Sequence, residues 1–397
     1  IDLPGVYTKP SRGAALFHQS TLNNLFGAEG LSATAGIRFD YEYTGIDYST
    51  ESQGGDVRVE FKPPVSLPPM SVDGDTLLKG SLRKDFWKIL PKFALKYQMT
   101  LTSQIYFSAS KGYKTGGYNE QVFSDILQGS LMESMKRNVL KNAPGGMPLP
   151  DIFPPQDMTP VEDRLSYDPE TSWTYELGGR YEMMNQKVSL AYAIFYTHVD
   201  NLQLTQLAKQ GTSGRTIANA GKSESKGFEL SLKYVPVDNL SFFGEYGFAD
   251  ARFVNYKSGE QGSDEINYSG KHVPFAPRHT VSLGGSYTYR LPYGSFIDSV
   301  TGNIRYQGAG RIYWTESNRN DADTEDLYQP FYGITNASIT AQKGAFGLEC
   351  WVENVFNTKY NSFLFEATDM TTRQTNTFVQ KGYPVRFGAT LRYTFSR

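Results

Sequence analysis

Apolar and polar residues alternate with a period of two along the chain, in one segment of about ten residues after another. Leu31, Ala33, Ala35, Ile37, Phe39, Tyr41 and Tyr43 interleave with Ser32, Thr34, Gly36, Arg38, Asp40 and Glu42. A β-strand sends two such sets to opposite faces, whereas a helix mixes them. Trp173, Tyr175, Leu177, Gly179 and Tyr181 oppose Thr174, Glu176, Gly178 and Arg180, and Val188–Tyr196 repeats the pattern with Phe195 as its exception. Phe228–Tyr234, Leu240–Phe248, Val281–Tyr289 and Val385–Phe395 follow. Weaker alternation lies near residues 14–21, 92–99, 105–114, 298–308, 332–342 and 346–355. The period-two reading therefore predicts about thirteen strands.

The second face decides the class. A soluble sandwich uses strands of about five or six residues. These run nearer ten, enough to cross a bilayer when tilted. Aromatic residues gather at the strand ends (Tyr41, Tyr43, Tyr181, Tyr196, Tyr234, Tyr287, Tyr289), as interfacial girdles would require. The small and charged second set suits a watery lumen. Mean hydropathy is only -0.45, which fits a wall in which alternate residues alone meet lipid. No apolar run approaches the roughly 18 residues of a spanning helix. The expected fold is all-β: a transmembrane antiparallel β-barrel.

Link lengths alternate as well. Short links fall at 23–30, 100–104, 183–187, 236–239, 291–297 and 343–345, and long ones at 45–90, 115–171, 200–226, 251–277, 311–331 and 358–384. Membrane barrels have short periplasmic turns and long external loops, so the C-terminus is expected in the periplasm. The first and last strands then run the same way and cannot pair antiparallel. An open edge is not viable in lipid, so a second chain or fragment is expected to complete the wall.

Other classes receive little support. The net charge of -2 offers no field for nucleic acid. Cys350 is the single cysteine and forms no internal disulfide. The four histidines, His18, His198, His272 and His279, show no metal-ligand spacing. HExxH, GxSxG and Walker patterns are missing, so neither an enzyme nor a bound cofactor is expected. Residue 1 opens no signal peptide, and for an exported protein the start of the gene product is expected to be missing or removed.

Seven runs in order resemble the later barrel of TonB-dependent outer-membrane receptors, especially iron–siderophore receptors. They are LSATAGIRFDYE, YFSASKGYKTGGYN (Tyr106–Asn119), YDPETSWTYELGGR (Tyr167–Arg180), NAGKSESKGFELSL (Asn219–Leu232), VPFAPRHTVSLGGSY, WVENVFNTKY and the closing LRYTF. Ser396 and Arg397 follow the terminal Phe395, where the family usually ends on the aromatic. The resemblance implies a roughly 22-stranded barrel. Residues 1–397 would be its C-terminal part, with an N-terminal plug domain and about nine early strands lying elsewhere. It also implies active uptake of a scarce external ligand, most often a ferric siderophore, with haem, cobalamin or a glycan as variants. The energy would come from TonB–ExbB–ExbD through an N-terminal segment. Partners would be that complex, the completing fragment and outer-membrane lipid or lipopolysaccharide. A passive porin-like channel is the alternative, separated by whether a plug lies upstream. A surface adhesin or phage receptor is compatible with long Tyr-rich loops.

Ligand contact is expected from the external loops: Tyr113, Lys114, Tyr118, Arg164, Tyr167, His198, Arg215, Tyr313, Trp314 and Arg319. Aromatic faces with cations suit an anionic iron chelate through stacking, cation–π and charge-assisted bonds. The chelator would hold the metal, so no protein metal ligand is required. Gly112, Gly116 and Gly117 are expected to relax the backbone at a strand end, and Asn354 to cap a turn. Arg38, Arg180, Arg386 and Arg392 are expected to pair with Glu176, Glu229, Glu245 or a plug carboxylate. The Pro-rich stretch within 146–160 is expected to be irregular.

Overall fold

The computed structural model describes residues 4–52, 56–59, 70–73, 76–124, 126–127, 129–130, 133, 161–207, 215–258, 266–318, 328–368 and 375–395. The Pro-rich stretch and Arg319 lie outside them. One antiparallel meander dominates. Its strands are β1 (Gly5–Thr8), β2 (Ser11–Asn23), β3 (Leu31–Ser52), β4 (Thr76–Gln98), β5 (Gln104–Lys114), β6 (Glu170–Met183) and β7 (Val188–Asp200). They continue with β8 (Lys222–Val237), β9 (Leu240–Asn255), β10 (His279–Arg290), β11 (Ser299–Gly310), β12 (Tyr332–Lys343), β13 (Phe346–Glu353) and β14 (Arg386–Tyr393). The first two pair successive stretches of β3 and form one broken strand, with Lys9 and Pro10 at the break. From β3 onward each strand pairs with the next. Thirteen wall positions result, the number that the alternation predicts. Among the described residues β2 and β14 each have one neighbour, and after an even number of antiparallel steps they run in the same direction.

Register turns the alternation into rows. Leu177, Ile194, Phe228 and Phe248 lie opposite one another across four strands; Gly179, Tyr192, Leu230 and Tyr246 form the next row. Large apolar side chains on this face stay exposed, Ile194 at 56% and Leu230 at 43%, which is the surface that a hydrocarbon surrounding would cover. One row outward lie Tyr175, Tyr196, Lys226 and Asp250, where apolar contact gives way to an aromatic and charged edge. The other face is polar. Hydroxyls meet across strands at Thr21–Thr34 (2.9 Å), Thr174–Thr197 (3.1 Å) and Thr288–Thr301 (3.0 Å). Phe195 belongs to this face, opposite Glu176. Gly227 makes room for it, since a Cβ there would stand 2.7 Å from the Phe195 ring.

The inner arginines find nearer partners than expected. Arg38 binds Asp40 at 2.8 Å and Arg180 binds Glu182 at 2.7 Å, each two residues along its own strand, while Arg386 pairs with Glu353 across the ladder. Period-two geometry puts residues i and i+2 on one face, so these carboxylates are closer than Glu229 or Glu245. Glu176 instead accepts from the Tyr106 hydroxyl at 2.5 Å.

Short links are tight turns. Between β6 and β7 the Lys187 N–H donates to the Met184 carbonyl at 3.2 Å, and the central Asn185 and Gln186 both have positive φ, as in the mirror-image hairpin turns that match strand twist. One expected long link is shortened: residues 45–90 are strand at both ends, because β3 and β4 run 22 and 23 residues. Pro91 lies within β4, just ahead of the alternation near 92–99. Here it pairs Ile37, one residue beyond the Lys92–Ser110 pair at which the ladder to β5 stops. Its missing N–H therefore costs no bond on that side. Asn354 caps its turn as expected: with φ 50°, it donates to the Thr358 and Tyr383 carbonyls (2.9 and 3.0 Å) and accepts from the Thr358 N–H at 2.8 Å.

Buried side chains gather beyond the long-link ends of the strands. Among the described residues three clusters form there: around Phe123, Ile46 and Leu165; around Phe253 and Tyr256; and around Trp314 and Leu364. The long links thus carry small cores of their own, built partly on short hairpins such as Gln203–Leu207 with Arg215–Asn219. Among the described residues no helix is long and apolar enough to cross a membrane.

Candidate functional site

The link after β5 turns back at once. Gly117–Tyr118 pairs with Ser166–Tyr167, and Phe123 packs its ring against Tyr48 (4.4 Å) and Tyr7 (5.2 Å). Gly116 and Gly117 have ordinary φ and serve close approach rather than an unusual backbone. A Cβ at Gly116 would lie 2.5 Å from the Tyr167 carbonyl and 2.7 Å from the Phe86 ring.

Amide side chains tie this link to the one between β7 and β8. Asn119 donates to the Ile217 carbonyl and accepts the Ile217 N–H, both at 2.8 Å. Asn219 accepts from the Asp168 N–H at 2.8 Å and donates to the carbonyls of Asp168 and Asn201, both at 3.0 Å. Gln203 donates to the carbonyls of Thr115 (2.8 Å) and Asp168 (3.0 Å). Asn119→Ala removes two bonds and leaves a peptide unpaired, so the Gln203–Asn219 hairpin should loosen by about 1–3 kcal/mol. Faster proteolysis within 203–219, with the wall's unfolding unchanged, checks it.

The residues expected to touch ligand separate into several environments. Tyr113 is half-buried and donates to Glu42 at 3.0 Å, and Lys114 is exposed at the end of β5. Tyr118 is 5% exposed and Trp314 7%, both inside loop cores. The Tyr118 hydroxyl and the Trp314 indole nitrogen find no hydrogen-bond partner among the described residues. Burial, with Glu162 nearby, pushes the Tyr118 phenol up, and burial does the same to Tyr167, so both hydroxyls stay donors at neutral pH. Arg164 is half-buried in a short helix, Val161–Leu165, beside Tyr118. Arg215 opens its hairpin strand opposite Leu207.

His198 stands apart, in the outward row Lys111–Trp173–His198–Glu224–Arg252, with Asp200 at 3.5 Å and Glu224 at 3.7 Å. Tyr313 stacks on His272, ring centres 5.1 Å apart and 12° from parallel. Asn318 locks that contact, taking the His272 N–H and donating to its carbonyl. Tyr118, Arg164 and Tyr167 come together; Tyr313 and Trp314 belong to a second group.

His272, in the long link after β9, is held below the ordinary imidazole range by burial and then by Arg252, against the opposing pull of Asp250. Above about pH 6.5 it is neutral whether docked or released and contributes nothing to pH dependence. As pH falls through that range the released chain takes up a proton before the docked loop does, so docking weakens until the docked imidazole also protonates. Hydrogen exchange across 268–273, corrected for intrinsic rates, should speed up from pH 7.5 to 5.5. His272→Gln should abolish the difference.

Inside the wall lies a cavity of about 830 Å³, lined by Tyr106, Arg180, Glu229, Glu245, Arg305 and Gln307 among others. Among the described residues expected to touch ligand, none borders it. Among the described residues no His, Cys, Asp and Glu group is arranged to hold a metal ion.

The model of the "TonB dependent receptor-like, beta-barrel" family matches residues 5–355. The chain is 24% identical to the pesticin receptor of Yersinia pestis over 277 residues, 70% of this chain and 32% of that protein. It is 29% identical over 145 residues to a probable TonB-dependent siderophore receptor, PiuA, of Acinetobacter baumannii, covering 34% of this chain and 19% of the relative. Among solved structures it resembles the ferric yersiniabactin uptake receptor FyuA of Yersinia pestis, with TM-score 0.66, 20% identity, and 99% of this chain over 47% of that one. The closed form of the ferric-catecholate import receptor Fiu of E. coli K12 gives TM-score 0.56 at 17% identity, with 98% and 45% covered. The chain spans 32% of the Yersinia relative's length and somewhat under half of these solved chains. With its family model matched over most of its length and a two-faced antiparallel wall beneath the match, the chain belongs to the TonB-dependent receptor-like β-barrel family.

Proposed function

We propose that this wall belongs to an outer-membrane receptor that takes up a ferric siderophore, driven by TonB–ExbB–ExbD, with its short turns and C-terminus in the periplasm. The observation that carries the reading is the division of the molecule. One face is apolar between interfacial edges and the other is polar, while loops bearing aromatic and cationic side chains lie beyond the long-link end. The names of the relatives support an iron chelate as cargo.

Two outer strands that run in parallel need an odd number of further strands between them. About nine more would give the roughly 22 of the largest uptake barrels, which have a plugged lumen. The polar face with its large cavity is suited to a plug domain, and both would come from a second segment or chain. Ligand contact falls to Tyr113, Lys114, Arg164, Tyr167, Arg215, Tyr313 and Arg319. Tyr118 and Trp314 hold the loops and offer buried donors once those loops rearrange. His198, on the outer wall, is better suited to the membrane interface.

Iron-limited growth of a strain lacking only this protein tests the reading. Growth should fail with one chelator, or one chemical class of chelator, and return with the wild-type gene. Equal growth on every iron chelate would remove the siderophore assignment.

A further inference from the structure

The outward face of β7, β8 and β9 is not uniform. It holds a groove of about 450 Å³, walled by Tyr192, Ile194, Phe228, Leu230 and Phe248, with Lys226 and Asp250 at its external end. The wall residues occupy the two apolar rows, and Lys226 the Tyr175–Tyr196 row above them. Aromatic rows of this kind sit at headgroup level in membrane proteins. The groove therefore runs from hydrocarbon depth up to the interface and ends at a cation.

The charges at that end are unevenly satisfied. Asp250 is already bound by Arg252 at 3.0 Å, with His272 at 3.4 Å. Further out, Asp200 is taken by Lys222 at 2.9 Å, and Glu224 lies 3.7 Å from His198. Lys226 has no ion pair among the described residues. Arg278 lies over the Phe248 ring at 5.5 Å and only 4.0 Å from Asp250, and its buried Nε has no hydrogen-bond partner among the described residues. An apolar slot with Lys226 at its end and Arg278 beside its Phe248 wall matches an acyl chain joined to an anionic head.

We propose that this groove is a specific site for one phosphate-bearing lipid of the outer leaflet, its chain along Ile194, Phe228 and Leu230 and its phosphate between Lys226 and Arg278. A zwitterionic lipid would fill the slot but gain less from the cations, since attraction to basic residues at the interface depends on net lipid charge. The site rests on the membrane-wall reading given above.

Native mass spectrometry of the detergent-purified protein provides the test, with dipalmitoyl phosphatidylglycerol and dipalmitoyl phosphatidylcholine as probes. One phosphatidylglycerol should be retained at about five-fold higher occupancy than phosphatidylcholine. Lys226→Gln combined with Arg278→Gln should erase that preference, and Ile194→Trp, at an exposed position, should displace both lipids by filling the slot. Equal occupancy of the two lipids, a preference surviving the double variant, or loss of the adduct to millimolar inorganic phosphate would overturn the lipid site. Sedimentation of all variants with outer membranes would show that such a failure concerns the groove and not the membrane wall.

Discussion

Replacing Leu230 by arginine should lower the stability of the lipid-reconstituted protein by about 2–4 kcal/mol, while the same change at neighbouring Ser231 should cost about 0–1 kcal/mol. Along β8 the outward positions run Lys226, Phe228, Leu230, Leu232 and Tyr234, so Leu230 lies midway between the two interfacial ends. A guanidinium there meets hydrocarbon with no partner. Ser231 points to the polar face and lies opposite Glu245 and Ala191. A guanidinium placed there stays in water beside a carboxylate. Denaturant unfolding of the two variants in the same lipid separates the cases. Equal costs at both positions would mean that the two faces meet the same solvent.

Phe123→Ala is expected to open the cap formed by the β5–β6 link while leaving the wall folded. Phe123 is fully buried, packed among Tyr7, Tyr48, Ile46 and Leu165. Truncating such a phenylalanine typically costs about 3–5 kcal/mol, comparable to all that a loop cap of this size can hold in local stability. Hydrogen exchange in 115–130 should therefore rise toward that of a free chain, with exchange along β8 and β9 unchanged. On the proposed function, uptake should fall at least about ten-fold, because losing roughly 1.4 kcal/mol of preorganisation already costs that factor. Unchanged protection of 115–130 would show that the cap draws its stability from elsewhere.

The wall was legible in the sequence because its two faces meet different surroundings. Every outward residue from Leu177 to Tyr181 and from Phe228 to Tyr234 obeys one solvent and every inward one another, so a period of two survives. The exceptions have local causes. Phe195 breaks the alternation because Gly227, on the neighbouring strand, leaves a hollow for its ring, and that pairing is invisible until register is known. β4 runs well beyond the alternation near 92–99 and contains Pro91, which is tolerated there because the ladder to β5 stops at Lys92.

The loops were less legible. An external tyrosine or tryptophan reads alike whether it faces solvent or fills a small core. Tyr118 and Trp314 fill cores, while Tyr113 is engaged with Glu42. Of the amides that join the loops, Gln203 lies in no motif run, whereas Asn119 and Asn219 sit inside GGYN and NAGK. Their signal was present as family text, but their bonding partners are remote in sequence, 98 residues away for Asn119 and Ile217. Arg38 and Arg180 differ for the opposite reason: their carboxylates, Asp40 and Glu182, lie two residues away along the same strand, whereas Arg386 does pair across strands, with Glu353.

Fluorescence quenching by brominated lipid chains offers the most direct trial of the two-faced wall. A small environment-sensitive dye would be attached through single cysteines at 230 and 231, with Cys350 replaced by serine. Strong quenching at 230 with little at 231, reversed when an aqueous quencher is used instead, is the predicted result. Comparable quenching at both positions by either agent would contradict a wall that divides hydrocarbon from water.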